Sequence, residues 1–268
     1  MLTNNISIVA DDFGITKKVN ESIIDLIINK KITDTSCIVV SENFKDSCKD
    51  LSNLSMRFGK GIHLTLTDFI SLTSPKNISK NGKFLSFREL FIKIYKGNIL
   101  EEEIENEINC QLDLFEQLMG SKPDFIDGHH HVHQLPKIRT AVFKVLKKRY
   151  SNDLPCIRNT HEKKLKILKR KVCITKTLLL SFYGYSLKKE ANKYHFKTNN
   201  GFSGIYNFSE DINFRDLFVK FTKYIDNNHL LMVHPGESDH FLEKIDPVTL
   251  TRNYEKSFLL NSEFSEIL

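Results

Sequence analysis

The sequence predicts an α/β fold, specifically a single-domain (β/α) barrel. Short β-branched apolar runs alternate with longer helical patterns, which is typical of a parallel sheet. The length of 268 residues fits a barrel of roughly 250 residues. Nearly every Asp or His cluster follows a predicted strand, at the end where parallel barrels carry their chemistry. No repeat or linker interrupts the pattern, so we expect residues 1–268 to form one domain.

The elements follow from two periodicities. Apolar, β-branched runs predict the strands Ile6–Ala10, Ser36–Val40, Gly61–Leu66, Asp124–Asp127, Cys156–Arg158 and Leu230–His234. Apolar residues at helical spacing predict the helices Val19–Ile28, Leu100–Met119, Pro136–Tyr150, Glu162–Leu180, Phe214–Asp226 and Thr249–Asn261. The segments Asp68–Phe87 and Asn199–Ser209 are predicted to be loops, and long loops in compact domains often cover functional sites.

The charge and cysteine content restrict the partners and the compartment. Much of the net charge of +6 lies in Lys163–Lys171, a run that fits a helix with a solvated basic face or one in weak contact with an anionic surface. The chain lacks Trp and any nucleic-acid motif, so we expect no nucleic-acid partner. Five scattered cysteines, no leader in Met1–Asn5 and no long apolar span predict a cytoplasmic protein without a transmembrane segment.

Two acidic residues, Asp11 and Asp12, directly follow the first predicted strand. Adjacent carboxylates repel each other unless a cation or hydrogen-bond donors stabilise them. Their side chains point in different directions on an extended chain, so one could hold a metal while the other faces a substrate. By itself the pair is more simply interpreted as part of a solvated turn or as a helix cap.

Histidines stand at three further strand ends. His63 interrupts an apolar strand, a setting in which a hydrogen-bonded core residue is the simpler interpretation. The motif DGHHHVH at 127–133 holds four histidines in five residues, and an extended chain would place His129, His131 and His133 on one side. His234 begins the turn HPGE, where it could act as a proton donor or merely cap the turn. Together with the Asp pair, these residue types predict a mononuclear hydrolytic metal site.

At these residues the sequence resembles the YdjC-like carbohydrate deacetylases, the family that includes chitooligosaccharide deacetylase. The motifs that carry the resemblance are ADDFG at 10–14, GIHLTL at 61–66, DGHHHVH at 127–133, Arg158, HPG at 234–236 and the terminal Arg252, Glu255 and Leu259. The resemblance implies a deformed (β/α) barrel similar to the NodB-type polysaccharide deacetylases. The segment between Arg158 and His234 shows no similarity that can be aligned.

The resemblance also implies roles. Asp12, His63 and His129 would bind one divalent metal ion, with zinc or magnesium favoured and manganese, cobalt or nickel as alternatives. Asp11 would be the general base, Arg158 would orient a catalytic carboxylate, and His234 would be the general acid. The reaction would release acetate and a free amino sugar from an N-acetylated sugar. His131 and His133 would support the ligands or contact the sugar.

Two other functions remain open from the sequence. A phosphoesterase or amidohydrolase on a similar barrel typically begins with an HxH pair on its first strand, whereas this chain begins with Asp-Asp and places HxH in mid-chain. A non-catalytic glycan-binding homologue should have lost at least one of these residues, and all are present.

Overall fold

The computed structural model describes residues 6–151 and 153–267, so the expectation for Met1–Asn5 lies outside the described residues. The strands are β1 (Ile6–Phe13), β2 (Asp34–Cys37), β3 (Gly59–Leu64), β4 (Ser79–Lys80), β5 (Lys83–Phe84), β6 (Phe125–Gly128), β7 (Cys156–Ile157), β8 (Gly201–Ser203) and β9 (His229–Val233). Within the described ranges, parallel strands form a seven-stranded sheet in the order β7-β6-β3-β2-β1-β9-β8.

The two edges of this sheet approach each other. Ile157 in β7 forms a parallel bridge with Thr198, three residues before β8, and its amide donates to the Lys197 carbonyl at 2.9 Å. Asn159 and Asn199 extend the contact, since each side-chain amide donates to the other's backbone carbonyl. The sheet therefore curls into a deformed barrel, which confirms the predicted fold class.

Helices cover the outside of the sheet. They are α1 (Lys17–Ile28), α2 (Glu42–Ser52), α3 (Phe87–Tyr95), α4 (Glu101–Met119), α5 (Ile138–Tyr150), α6 (Lys164–Arg170), α7 (Ile174–Lys193), α8 (Phe214–Thr222), α9 (Leu242–Ile245), α10 (Leu250–Leu260) and α11 (Glu263–Ile267), with a 3-10 helix at His129–Gln134. Their apolar faces pack with one side of the strands into a large core, and residues from the strands, including Val9, Phe202 and Leu230, form a second, smaller cluster. None of the helices in the described part of the chain could span a membrane.

The predicted elements match with local differences. All six predicted strands are present, but β2 ends at Cys37, and Ile38 and the two residues after it leave the sheet. The strand β8 lies in a segment that the sequence predicted to be a loop. The predicted loop Asp68–Phe87 contains the hairpin β4–β5. The backbone amides of Leu72 and Thr73 in this loop donate hydrogen bonds to the buried carboxylate of Glu107.

The predicted single helix Glu162–Leu180 is wrong. The chain forms α6 and α7 instead, because Lys171 and Cys173 adopt left-handed φ angles of 55° and 39°. No Gly or Pro marks this break in the sequence. The single apolar stripe predicted for this segment is also wrong, since Leu165 and Leu168 are 63% and 40% exposed.

Candidate metal centre and active site

The Asp-Asp pair lies inside β1 rather than after it. Pairing with β2 shifts between Ala10 and Phe13, and Asp12 takes a left-handed φ of 69°, so the strand carries a bulge at the pair. The bulge directs two buried neighbouring carboxylates to different partners. Gly14 follows with a φ of 107°, and a Cβ there would lie 2.7 Å from the Ile38 carbonyl oxygen, so the turn requires glycine.

Three predicted metal ligands lie together at the carboxyl ends of β1, β3 and β6. Asp12 Oδ1 is 3.4 Å from His63 Nε2 and 3.3 Å from His129 Nδ1. All three residues are buried, and one ligand atom from each lies within 4.8 Å of the others. The structure therefore brings together the set that the resemblance implied.

These atoms fit a divalent metal ion. The Asp12 Oδ1 atom is buried and accepts no hydrogen bond, an arrangement that normally costs free energy. Ligand atoms of a tetrahedral zinc, at 2.0–2.1 Å from the ion, lie about 3.3 Å apart, which matches the two distances to Asp12 Oδ1. Two imidazoles and one carboxylate suit zinc better than magnesium, which prefers oxygen ligands.

A second layer of contacts orients His63. Its Nδ1 donates to Asp127 Oδ1 at 2.7 Å, which leaves Nε2 facing Asp12. Ser36 Oγ also donates to Asp127. Burial lowers the pKa of His63, but the ionised Asp127 raises it to about 9. A carboxylate behind a histidine is the usual way in which proteins fix a metal-ligating ring.

Arg252 on α10 holds the other oxygen of Asp12. Its Nη2 donates to Asp12 Oδ2 at 2.7 Å and to Asp246 Oδ2 at 2.8 Å. Burial alone raises the pKa of Asp12, but the Arg252 guanidinium and the nearby His129 more than offset this, so the pKa lies well below its usual value. Asp12 is therefore an anion in which Oδ2 is held by Arg252 and Oδ1 has no hydrogen-bond partner.

Arg158 joins two buried carboxylates. Its Nη1 and Nη2 each donate to one oxygen of Asp11 at 2.6 Å, and Nη2 also lies 2.6 Å from Asp127 Oδ2. Both salt-bridge partners and the arginine are almost completely buried. Asp11 therefore lies beside the metal-ligand set in a fixed orientation, and Arg158 links it to the support of His63.

Each of the four histidines in the 129–133 motif contacts a different partner. His130 and His131 adopt left-handed φ angles of 54° and 56°, so the predicted extended segment is wrong. Only His129 faces Asp12, whereas His130 Nδ1 lies 3.6 Å from Asp68 and His131 packs edge-on against Phe202. His133 Nε2 donates to the Arg158 carbonyl at 2.9 Å and so fixes the backbone directly after β7.

In the described parts of the chain, two other groups of three residues also bring one possible ligand atom each within 4.8 Å of the others. In the first, Asp11, His63 and Asp127, the carboxylates already bind Arg158 and His63. In the second, Asp68, His129 and His130, the His130 side chain is exposed. Because neither offers three free and buried ligand atoms, the Asp12 set is the better candidate for a metal site.

His234 lies at the end of β9 and lines the same cavity as the metal-ligand set. Its backbone amide donates to Glu255 Oε2 at 2.5 Å, and Tyr206 donates to the other oxygen of Glu255. Burial lowers the pKa of His234 to about 4, so the ring is neutral at pH 7. The rings of Phe208 and His234 pack at right angles with their centroids 5.1 Å apart, and this contact positions the imidazole.

The cavity has a volume of about 750 Å³ and opens at the carboxyl ends of the strands. Its floor carries Asp11, Asp12, His63 and His234, whereas α3 and α7 supply an outer wall that is mainly apolar. A concave site with a few converging polar groups is the usual form of a small-molecule site.

Sequence reasoning missed several supporting residues. Ser36 gives no sequence signal, because a serine in an apolar strand is common. Arg252 and Glu255 were noted only as part of the terminal pattern. Both are fully buried on the inner face of α10, and charged residues at core-facing helix positions are a signal of a buried polar network.

A model of the YdjC-like protein family matches residues 5–268. Curated relatives include chitooligosaccharide deacetylases from Proteus mirabilis, 33% identical over 132 residues, and Escherichia fergusonii, 34% identical over 129 residues. Each match covers 48% of this chain and 50% of the relative, so it spans about half the length of these proteins.

The fold is shared with a solved structure. A "putative cellobiose-phosphate cleavage protein" from Enterococcus faecalis superposes with a TM-score of 0.71 at 21% identity, covering 98% of this chain and 92% of that one. At this identity the match shows the fold alone, and it agrees with the predicted (β/α) barrel.

Proposed function

The chain belongs to the YdjC-like protein family, and from that premise we propose that it is a metal-dependent hydrolase that removes the acetyl group from an N-acetylated sugar. The observation that carries the proposal is the free, buried Oδ1 of Asp12 beside His63 and His129, with Asp11 held next to this set. The named relatives support the same reaction class, and we propose that residues 1–268 form one deacetylase domain.

The residues have distinct roles in this proposal. Asp12, His63 and His129 would hold one divalent ion, with zinc favoured by the two imidazoles. When bound, the ion supplies Lewis-acid polarisation of the amide carbonyl and lowers the pKa of the attacking water.

Asp11 is the proposed general base. A carboxylate oxygen that accepts one bond from Arg158 retains a second lone pair, so Asp11 can still receive a proton from water. Arg158 holds both oxygens of this carboxylate in a fixed orientation. Arg158 is therefore a positioning residue that acts through Asp11.

His234 is the proposed proton donor to the departing amine. Because the ring is neutral at pH 7, it must first receive a proton, and the water proton taken up at Asp11 is the available source. Hydrolysis adds one water to the amide and gives acetate and the protonated amine, so both protons of the water are accounted for.

The test is acetate release from a panel of N-acetylated sugars, with protein stripped of metal and then resupplied with Zn²⁺, Mg²⁺, Mn²⁺, Co²⁺ or Ni²⁺. We expect activity to disappear on stripping and to return best with Zn²⁺. A His63→Gln variant should lose both bound metal and activity, whereas a matched His240→Gln variant on the surface should retain both. Metal-independent acetate release would contradict the proposed cofactor, and release of phosphate from a phosphoester would favour the phosphoesterase alternative.

A further inference from the structure

The wall of the cavity formed by α3 and α7 is mainly apolar. Ile92 on α3 and Leu179 on α7 line the cavity and are 42% and 57% exposed. The same helices also supply the rings of Phe87, Phe91 and Tyr183 and the cations Arg88 and Lys176. The rings can stack on a sugar, but the aliphatic side chains neither donate hydrogen bonds to hydroxyl groups nor offer a flat ring. Their natural ligand is hydrocarbon, because burying it removes apolar surface from water on both sides.

The same apolar surface continues out of the cavity. Tyr95, one turn after Ile92, is 55% exposed, and Phe182, one turn after Leu179, is 64% exposed. The two helices meet at this point, since the Tyr95 and Tyr183 hydroxyl groups are 2.7 Å apart. We call Ile92, Tyr95, Leu179 and Phe182 the apolar strip. Contiguous exposed apolar surface of this kind marks a binding site.

The apolar strip adjoins the same cavity whose floor is polar. Tyr183 and Leu180 line the cavity beside Leu179, and the cavity floor contains Asp12 and His63. A ligand that occupies strip and floor together must therefore have a polar head and an apolar tail.

We propose that the substrate is an amphiphile in which an N-acetylated amino sugar is joined to a long apolar chain. The sugar lies over Asp12 with its acetamide at the floor, and the chain lies along the apolar strip. The identity of the head group rests on the proposed deacetylase function. The identity of the tail rests on the strip alone.

The test compares N-acetylglucosamine glycosides with methyl, butyl and octyl chains below their critical micelle concentrations. We expect kcat/KM for acetate release to rise by about two- to fourfold for each methylene that contacts the strip, because each buried methylene favours binding. The gain should appear in KM, since the chain is bound equally in ground and transition states. Equal values for the three chain lengths would overturn the proposal.

Two variants locate the effect. Leu179→Asn should reduce the ratio of octyl to methyl kcat/KM by about tenfold, because an amide in the wall disfavours hydrocarbon. Leu165→Asn is the matched control, since Leu165 is also an exposed leucine, 63% exposed, but lies on α6 outside the cavity lining. An equal effect of both substitutions would overturn the assignment of the strip.

Binding separates this inference from the proposed reaction. Titration calorimetry of octyl and methyl glycosides needs no turnover, and octyl should bind more tightly to the wild type than to Leu179→Asn. If this difference is found while no glycoside releases acetate, the strip is confirmed and the reaction is wrong. If Leu179→Asn instead changes only the oligomeric state measured by light scattering, the strip is a subunit interface and the proposal fails.

Discussion

The floor and the outer wall of the cavity are held in place by different forces. In the floor, Arg158 bridges Asp11 and Asp127, and Arg252 bridges Asp12 and Asp246, with all six residues buried. In the wall, the two helices are joined at the exposed hydroxyl pair of the tyrosines, and their apolar side chains face solvent. We therefore expect the floor to be fixed before any ligand arrives and the wall to adapt to one.

This difference separates chemistry from specificity. Transferring a proton needs groups held within a fraction of an ångström, and only a satisfied network of buried charges provides that. Binding of an apolar chain depends on how much apolar surface is buried and not on the direction of individual contacts. Substitutions in the floor should therefore have large effects on rate, folding or metal binding, and substitutions in the wall should have small and additive effects.

The largest effect is expected from Asp11→Asn. An amide of the same shape cannot accept the proton from water, so acetate release should fall by about 10³-fold or more. The metal content should remain at the wild-type level, because Asp11 is not among the proposed ligands. Steady-state kinetics together with elemental analysis of the purified protein test both statements. Unchanged turnover would refute the role of Asp11, and loss of metal would assign it to the ligand set.

Arg158→Met should have the next largest effect, this time on folding. Removing the shared guanidinium leaves the buried Asp11 without a partner and Asp127 with only His63 and Ser36, which costs about 3–5 kcal/mol of the free energy of unfolding. The melting temperature should fall by at least about 6 °C. Arg215→Met is the matched control, because its pairs with Asp216 and Glu263 are half-exposed and contribute little. Equal melting temperatures of the two variants would show that the floor is not the more tightly held region.

Arg252→Lys should have an intermediate effect, confined to the metal. Lysine keeps the charge but is shorter and lacks the Nε donor that Arg252 directs to the Val248 carbonyl, so Asp12 becomes less well oriented. We expect the affinity for Zn²⁺ to fall by about 10- to 100-fold, as is common when the partner of a metal ligand is lost. Competition with a chromogenic chelator measures this affinity without turnover. A wild-type affinity would show that the bulge in β1 positions Asp12 without help.

The same division explains what could be predicted from the sequence. The floor residues stand at the ends of short apolar runs, and parallel strands bring such ends to one edge of the sheet, so the Asp pair, His63 and the histidine motif could be placed together. The choice of Asp12, His63 and His129 among them came from the family resemblance. The direction of each side chain could not be predicted, because His130 and His131 adopt a left-handed backbone conformation that the sequence does not require. The extended chain assumed for 129–133 was wrong for this reason.

The wall could not be predicted at all. Leu179 and Phe182 lie in a segment whose leucines fit a buried helix face as well as an exposed one, since periodicity does not say which side meets the core. The break between α6 and α7 falls at Lys171 and Cys173, without Gly or Pro, and so had no sequence signal. Arg170 contributes to the fold there, because it binds the buried Glu162 at 2.8 Å instead of facing solvent.

Tyr95→Phe should have the smallest effect and probes the wall directly. It removes the hydroxyl that meets Tyr183 at 2.7 Å but keeps the apolar ring of the strip. An exposed hydrogen bond contributes on the order of 1 kcal/mol or less, so KM for the octyl glycoside should change by no more than about threefold. Folding and Zn²⁺ affinity should stay at wild-type values. A loss as large as that of Leu179→Asn would mean that the wall depends on a fixed arrangement of α3 and α7, and the contrast between a rigid floor and an adaptable wall would then be wrong.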